Sequence, residues 1–353
     1  MTMLEVNFIS RLPKTDLHVH LDGSIREATF YELANQFDCA IPEDIFKERY
    51  NSLEDYLRGF EFTCAVMRDE QSIARVSYEL CVDAFNEGVY YQEIRFAPQL
   101  LEHDELSSQQ ILAAAAIGIA RAESEFNTSG EIALYRAGII VCAMRFPEQF
   151  ASKSIAAVRS AIDARDDFGL PIVGLDLAGD EQGNPAKVHS EAYKIAKDAG
   201  LSRTVHAGEA AGASSIADAI SSCDAQRIGH GTNLLQDEKL ANLVRANDVL
   251  LEVCVTSNLQ TMPHLSNLSQ HPYRRFVELE IPFTLATDNR LLSHTTVCTE
   301  YQRAAQSAQL GKSQLITIAS QGFDAMFFPG SAEQARQYRE AIQEETDKVL
   351  ASC

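Results

Sequence analysis

Thr204-Val205-His206-Ala207-Gly208-Glu209 reads as the end of a short β-strand that runs into a turn of small residues. It sets an imidazole and a carboxylate three residues apart, and Ala207 and Gly208 leave room between them for a ligand to approach. Imidazole binds zinc well, and a carboxylate beside a metal-bound water is well placed to move protons. A His near a Glu is common in any chain of this size. The pair gains meaning because three other strand ends carry complementary groups.

That strand is one of eight. Apolar or β-branched runs at 15–23, 90–98, 132–142, 171–179, 203–209, 226–231, 249–257 and 282–288 are each followed by a helical pattern, as at 107–125, 185–199 and 236–246. Eight strands, each trailed by a helix, predict an α/β fold of the (β/α)8 TIM-barrel type. An open doubly wound sheet is the alternative, but it would usually carry a Gly-rich dinucleotide turn, and none is present. The chain reads as a single barrel domain over 1–353, with 25–86 inserted after the first strand as a helical cap over the mouth. The charged tail at 312–353 reads as extra C-terminal helices packed outside the barrel.

In such a barrel, chemistry sits at the C-terminal ends of the strands. The first strand ends His18-Val19-His20, and strand alternation puts both imidazoles on the interior face, where they can chelate one ion. The fifth strand adds His206 and the eighth adds Asp288. Three imidazoles and a carboxylate suit zinc better than magnesium or calcium, with iron or manganese as possible occupants of the same ligands. The sixth strand ends Arg227-Ile228-Gly229-His230-Gly231. With the metal shell filled by the other four groups, His230 is better placed to hydrogen-bond the attacking water and steady its charge. A core histidine bonded to a backbone carbonyl is the plain alternative for His230, and an ordinary loop carboxylate is the plain alternative for Glu209.

Composition bounds the partners. The 353 residues are 46% hydrophobic and carry a formal net charge of −20, which repels phosphate backbones and excludes nucleic acid and anionic membrane as expected partners. No apolar run reaches the roughly 18 residues of a membrane span. Residues 1–14 show no basic segment followed by an apolar core, so no secretory signal is expected. The eight cysteines are scattered without a C-x-x-C pair, and Cys81, Cys142 and Cys254 sit in apolar runs, as reduced buried thiols do. A reducing, cytoplasmic setting is therefore expected.

Taken together, TDLHVHLDGS (15–24), EIRFAP (93–98), GLDLAGDE (174–181), VHAGE (205–209), RIGHGT (227–232) and TDN (287–289) resemble the successive signatures of the adenosine deaminase family of metal-dependent amidohydrolases. The likeness runs in order over nearly the whole chain. It implies one zinc per chain held by His18, His20, His206 and Asp288, with Glu209 protonating purine N1 and His230 orienting the water that attacks C6. It implies substrate contacts from His20, from Asp22 to the ribose 5′-hydroxyl, from the Gly179 amide to N3 and from residue 289 to N7. Leu53, Tyr56, Leu57 and Phe60 fall where the family places an apolar gate helix, although plain helix-core packing would give the same spacing. The family usually has a second aspartate where Asn289 stands; an amide NH2 donates to N7 in its neutral state, which a carboxylate does only when protonated. Asp22 and Gly229 resemble the nucleoside branch, so the expected partner is a small-molecule purine nucleoside. Adenosine and 2′-deoxyadenosine are the first expectation. Adenine, an N6-substituted adenine or a modified nucleoside is the alternative, and a non-catalytic zinc-binding barrel is the second.

Overall fold

The computed structural model describes residues 3–42, 45–127, 134–145 and 150–352. Eight parallel strands form one sheet in sequential order: β1 Lys14–His20, β2 Val89–Phe96, β3 Arg136–Met144, β4 Ile172–Ala178, β5 Ser202–Ala207, β6 Arg227–His230, β7 Leu250–Val253 and β8 Phe283–Leu285. The ring is completed just past β8, where the His20 amide donates to the Asp288 carbonyl and the Asp288 amide to the His18 carbonyl, both at 2.8 Å. That closure brings Asp288 beside the two histidines of β1. The TIM-type barrel read from the sequence is the observed fold.

The strands are apolar and β-branched because helices cover the outside of the sheet and side chains fill the inside. β3 shows this plainly: Ala137 to Ala143 are all buried. The helices begin where short polar side chains can take the first free amides. Asp69 and Ser72 form a reciprocal cap for Glu70–Asn86, and Ser107 and Gln110 one for Ser108–Phe126.

Several boundaries differ from the sequence reading. β3 begins at Arg136, and 132–133 lie outside the described residues. β7 stops at Val253, and Val255–Thr261 turns into a helix, so Ser257 sits on a helix rather than at a strand end. The helical run at 185–199 is a 3-10 turn, Ala186–His189, followed by a helix, Ser190–Asp198. Between β1 and β2, Glu70–Asn86 packs on β2 and on Ser108–Phe126 as part of the outer helical ring. The shorter helices Leu53–Leu57 and Gly59–Ala65 lie at the mouth and line the central cavity.

In the C-terminal segment, Lys312–Ala325 packs on β1 and β8, while Ala332–Ala351 places Tyr338 and Ile342 in one apolar cluster with Tyr91 and Leu250. The Arg227 guanidinium lies 3.5 Å from the centre of the Phe327 ring. All seven cysteines among the described residues are unpaired, and no helix among them is long and apolar enough to cross a membrane.

Gly118 decides how closely the two helices after β1 and β2 approach. A Cβ there would stand 2.3 Å from the Ala74 carbonyl oxygen and 2.8 Å from the Tyr78 amide nitrogen, both backbone atoms that cannot swing away. Helix propensity favours Ala over Gly by about 1 kcal/mol, whereas overpacking a core contact costs about 1–3 kcal/mol. The clash should win, so Gly118→Ala should lower the urea midpoint. A raised midpoint would show that propensity dominates and that the helices can part.

Candidate active site

The C-terminal strand ends surround a cavity of about 710 Å³. His20, Asp22, Gly179, His206, Glu209, His230, Asp288 and Asn289 all line it, so the structure brings eight of the nine residues singled out from the sequence to one wall system. The ninth, His18, is fully buried beneath them, its ring centre 4.4 Å from that of His206.

The imidazoles and Asp288 converge tightly. His20 Nε2 lies 3.2 Å from His206 Nε2 and 3.4 Å from Asp288 Oδ1, and His18 Nε2 lies 3.6 Å from the same oxygen. Donors held about 2.0–2.1 Å from one tetrahedral zinc stand roughly 3.3 Å apart, so this spacing fits a single ion. His18 Nε2 is buried and has no hydrogen-bond partner. Burial, with the charges of Arg95 and the neighbouring histidines, pushes the pKa values of His18 and His20 well below the ordinary imidazole value. Both rings are neutral and keep lone pairs for a metal. Burial raises the pKa of Asp288, whose second oxygen accepts from Ser257 Oγ at 2.5 Å. A cation between these groups would offset the cost of that buried carboxylate. Spacing also admits His230: the donor atoms of His18, His206, His230 and Asp288 lie within 4.8 Å of one another.

A buried ring of charge lies behind the imidazoles. Glu252 on β7 takes His18 Nδ1 at 2.8 Å, and Asp176 on β4 faces His206 Nδ1 at 2.9 Å. Arg95 on β2 joins the two carboxylates, with Nη1 2.9 Å from Asp176 and Nη2 2.8 Å from Glu252. Arg227 joins Glu252 to Glu93 in turn. Each carboxylate aims the far nitrogen of its histidine at the cavity, as orienting partners of metal ligands do. The sequence reading assigned no role to these residues. Their signal was charge inside strand runs, at positions that alternation turns inward.

Backbone geometry is also specialised here. His230 and Asp288 have φ of 64° and 62°, the left-handed region that non-glycine residues rarely adopt. Gly229 leaves the space that His18 occupies, since a Cβ there would stand 2.9 Å from His18 Cε1.

Glu209 is held in place by its neighbours. Thr261 Oγ1 donates to its Oε1 at 2.6 Å, and His230 Nε2 lies 3.5 Å from its Oε2. Burial pushes its pKa up to about 7, against the lowering effects of Thr261 and His206. Glu181 fixes the loop by accepting the backbone amides of Gly208, Glu209, Ala210 and Ala211. Across the cavity, burial raises Asp22 to about 7, and its Oδ1 has no partner. Leu53, Tyr56, Leu57 and Phe60 line the outer wall, and Tyr56 is tied to Ser293 at 2.9 Å. The arrangement can hold a metal ion, deliver a proton from Glu209 and present polar groups to a flat ligand.

Comparison with known proteins gives a family and a fold. The adenosine deaminase family model matches residues 13–345. An adenosine deaminase from Vibrio atlanticus is 35% identical, with 92% of this chain and 96% of the relative covered. A probable adenosine deaminase from Dictyostelium discoideum is 34% identical over 92% of this chain, which spans 42% of that longer relative. Among solved structures, an amidohydrolase from Burkholderia ambifaria with bound zinc superposes with a TM-score of 0.85 at 21% identity, covering 100% of this chain and 95% of that one. The N6-methyl-AMP deaminase of Arabidopsis thaliana has a TM-score of 0.81 at 25% identity, covering 96% and 98%.

Removing the link in the charge ring should be costly. Arg95→Met would leave Asp176 and Glu252 with less compensation in the barrel interior. Deleting one partner of a buried ion pair costs about 3–5 kcal/mol, and a urea titration should show a loss of that size. A loss under about 1 kcal/mol, the level of an exposed pair, would contradict the account.

Proposed function

We propose that this chain, which belongs to the adenosine deaminase family, removes the 6-amino group of adenosine and 2′-deoxyadenosine by zinc-dependent hydrolysis, releasing ammonia. The observation that carries the reading is the convergence of three imidazoles and Asp288 opposite a Glu209 whose pKa burial has raised to about 7.

His18, His20, His206 and Asp288 would hold the ion. A bound zinc supplies a water acidic enough to attack carbon at neutral pH. Glu209, carrying a proton, donates it to purine N1, which draws electrons from C6 and readies that carbon for addition. His230 hydrogen-bonds the incoming oxygen and steadies its charge, worth about 2.7–4 kcal/mol for a well-placed donor of this kind. The amide of Asn289 donates to N7, the Gly179 backbone to N3, and Asp22 takes the ribose 5′-hydroxyl on its unpartnered oxygen. The attacking water gives up both of its protons, one to the amino group, which departs as ammonia, and one that returns Glu209 to its protonated form.

The charges lining the cavity support a nucleoside rather than a nucleotide. Apart from Glu209 and Asp288, which carry the proton and the ion, Asp22, Glu61 and Glu102 face the space, against one guanidinium among the described lining residues, that of Arg68. A phosphate dianion entering beside those carboxylates would be repelled more strongly than in water, because the walls are of low dielectric. A substrate like that of the N6-methyl-AMP deaminase is disfavoured on this ground. Free adenine would leave Asp22 without its donor.

The test is ultraviolet absorbance during incubation with adenosine, adenine and N6-methyladenosine, before and after chelation. Adenosine should be converted, with activity lost on chelation and restored by zinc. No conversion of any of the three by zinc-loaded protein would contradict the reading. Glu209→Gln should keep the metal and lose a factor of about 10²–10⁴ in turnover, since only the proton donor is removed. Loss of metal with that change would sink the assignment of Glu209 as the acid.

A further inference from the structure

His230 could in principle present either ring nitrogen, or a lone pair, to the site. A chain of hydrogen bonds running away from the cavity decides which. It starts at a group with only one possible role: the backbone N–H of Tyr273 donates to His271 Nδ1 at 3.3 Å. His271 is buried, and burial pushes its pKa down to about 3, so the ring is neutral. With Nδ1 accepting, its one proton lies on Nε2, 3.2 Å from Asn258 Oδ1. The Thr232 hydroxyl donates to the same atom at 3.0 Å. The His271 Nε2–H can only donate, which identifies that atom as the amide oxygen of Asn258 and makes the Thr232 hydroxyl its second donor. The Asn258 nitrogen therefore faces His230 Nδ1, at 3.1 Å, and an amide nitrogen can only donate. His230 Nδ1 accepts, and in the neutral ring the proton is left on Nε2, which points at Glu209 Oε2 across 3.5 Å.

We propose that Asn258 and His271, neither of which lines the cavity, are positioning residues that lock His230 as the Nε2–H tautomer. The lock makes His230 a hydrogen-bond donor to the incoming oxygen and bars it from the metal, although its distance alone would admit it as a ligand. Its Nδ1 lone pair is occupied by Asn258 and its Nε2 lone pair by a proton. The fourth ligand is then His20. The tautomer rests on hydrogen-bond geometry and on a neutral His271, whereas its catalytic use rests on the deaminase reading above.

The experiment is a long-range proton–nitrogen NMR correlation on zinc-loaded, full-length protein labelled in its histidine rings, assigned with His230→Gln. The wild-type spectrum should show His230 protonated on Nε2 and unprotonated on Nδ1. Asn258→Asp should reverse this, because a carboxylate accepts a hydrogen bond from a protonated Nδ1. A wrong-tautomer change of this kind costs a factor on the order of 10⁴ in kcat at a serine protease triad, so a fall of roughly 10³–10⁴ with KM little changed is expected.

Should Asn258→Asp fail to fold, His271→Phe removes the Nε2–H while keeping a ring, and should give a mixed His230 signal with reduced kcat. His271→Gln, whose amide can again donate to Asn258, should recover most of that loss. A wild-type spectrum with Nδ1 protonated, or with the Nε2 signal displaced by zinc, would overturn the proposal. So would equal melting temperatures with no change in tautomer or kcat across the variants. Because the spectrum is read without substrate, it stands even if no adenine derivative is turned over, and activity with the wrong tautomer would defeat this inference alone.

Discussion

Arg95 sits inside the barrel with one guanidinium nitrogen on Asp176 and another on Glu252, and the aim of two site histidines depends on that bridge. A barrel interior is usually filled by branched apolar side chains. Here one layer holds guanidinium and carboxylate instead, and burying them is favourable only if every charge finds partners of good geometry. Glu252 meets this demand with Oε2 on His18 and Arg95 and Oε1 on Thr204 and Arg227. The arrangement braces two rings and leaves one nitrogen of each facing the same position.

Two strained backbone positions lie at the same place. His230 and Asp288 are left-handed although neither is glycine, a cost of order 1–3 kcal/mol each that the surroundings must over-determine. For Asp288 the constraint is visible: its backbone is paired on both sides with β1, and its side chain is tied to Ser257. For His230 it is the Asn258 contact and the turn at Gly231. Rigid strands thus carry residues in conformations that loops alone would not hold.

The sequence made much of this legible, for identifiable reasons. H-x-H at the end of an apolar run forces two imidazoles onto one face, and VHAGE and TDN carry recognisable donors at strand ends, so the barrel and the converging residues could be read directly. Spacing could not say that β7 ends at Val253 and gives way to a helix bearing Ser257, Asn258 and Thr261. A short apolar run reads alike as strand or as buried helix. It placed His20 rather than His230 in the metal shell by counting ligands, whereas the ring nitrogen that carries the His230 proton is set by contacts that spacing does not show. Asp176, Glu252 and Arg95 were visible only as charges inside strands; their pairing is a property of barrel closure, which joins residues as far apart in the chain as His18 and Glu252.

The buried partners bring three imidazoles and one carboxylate to one position, where a single zinc ion is proposed. X-ray absorption at the zinc edge, together with metal content per chain, tests it most directly. The predicted result is one zinc per chain with three imidazole nitrogens and carboxylate oxygen in its shell. A shell with one or two imidazoles, or protein that binds no stoichiometric metal, would contradict it.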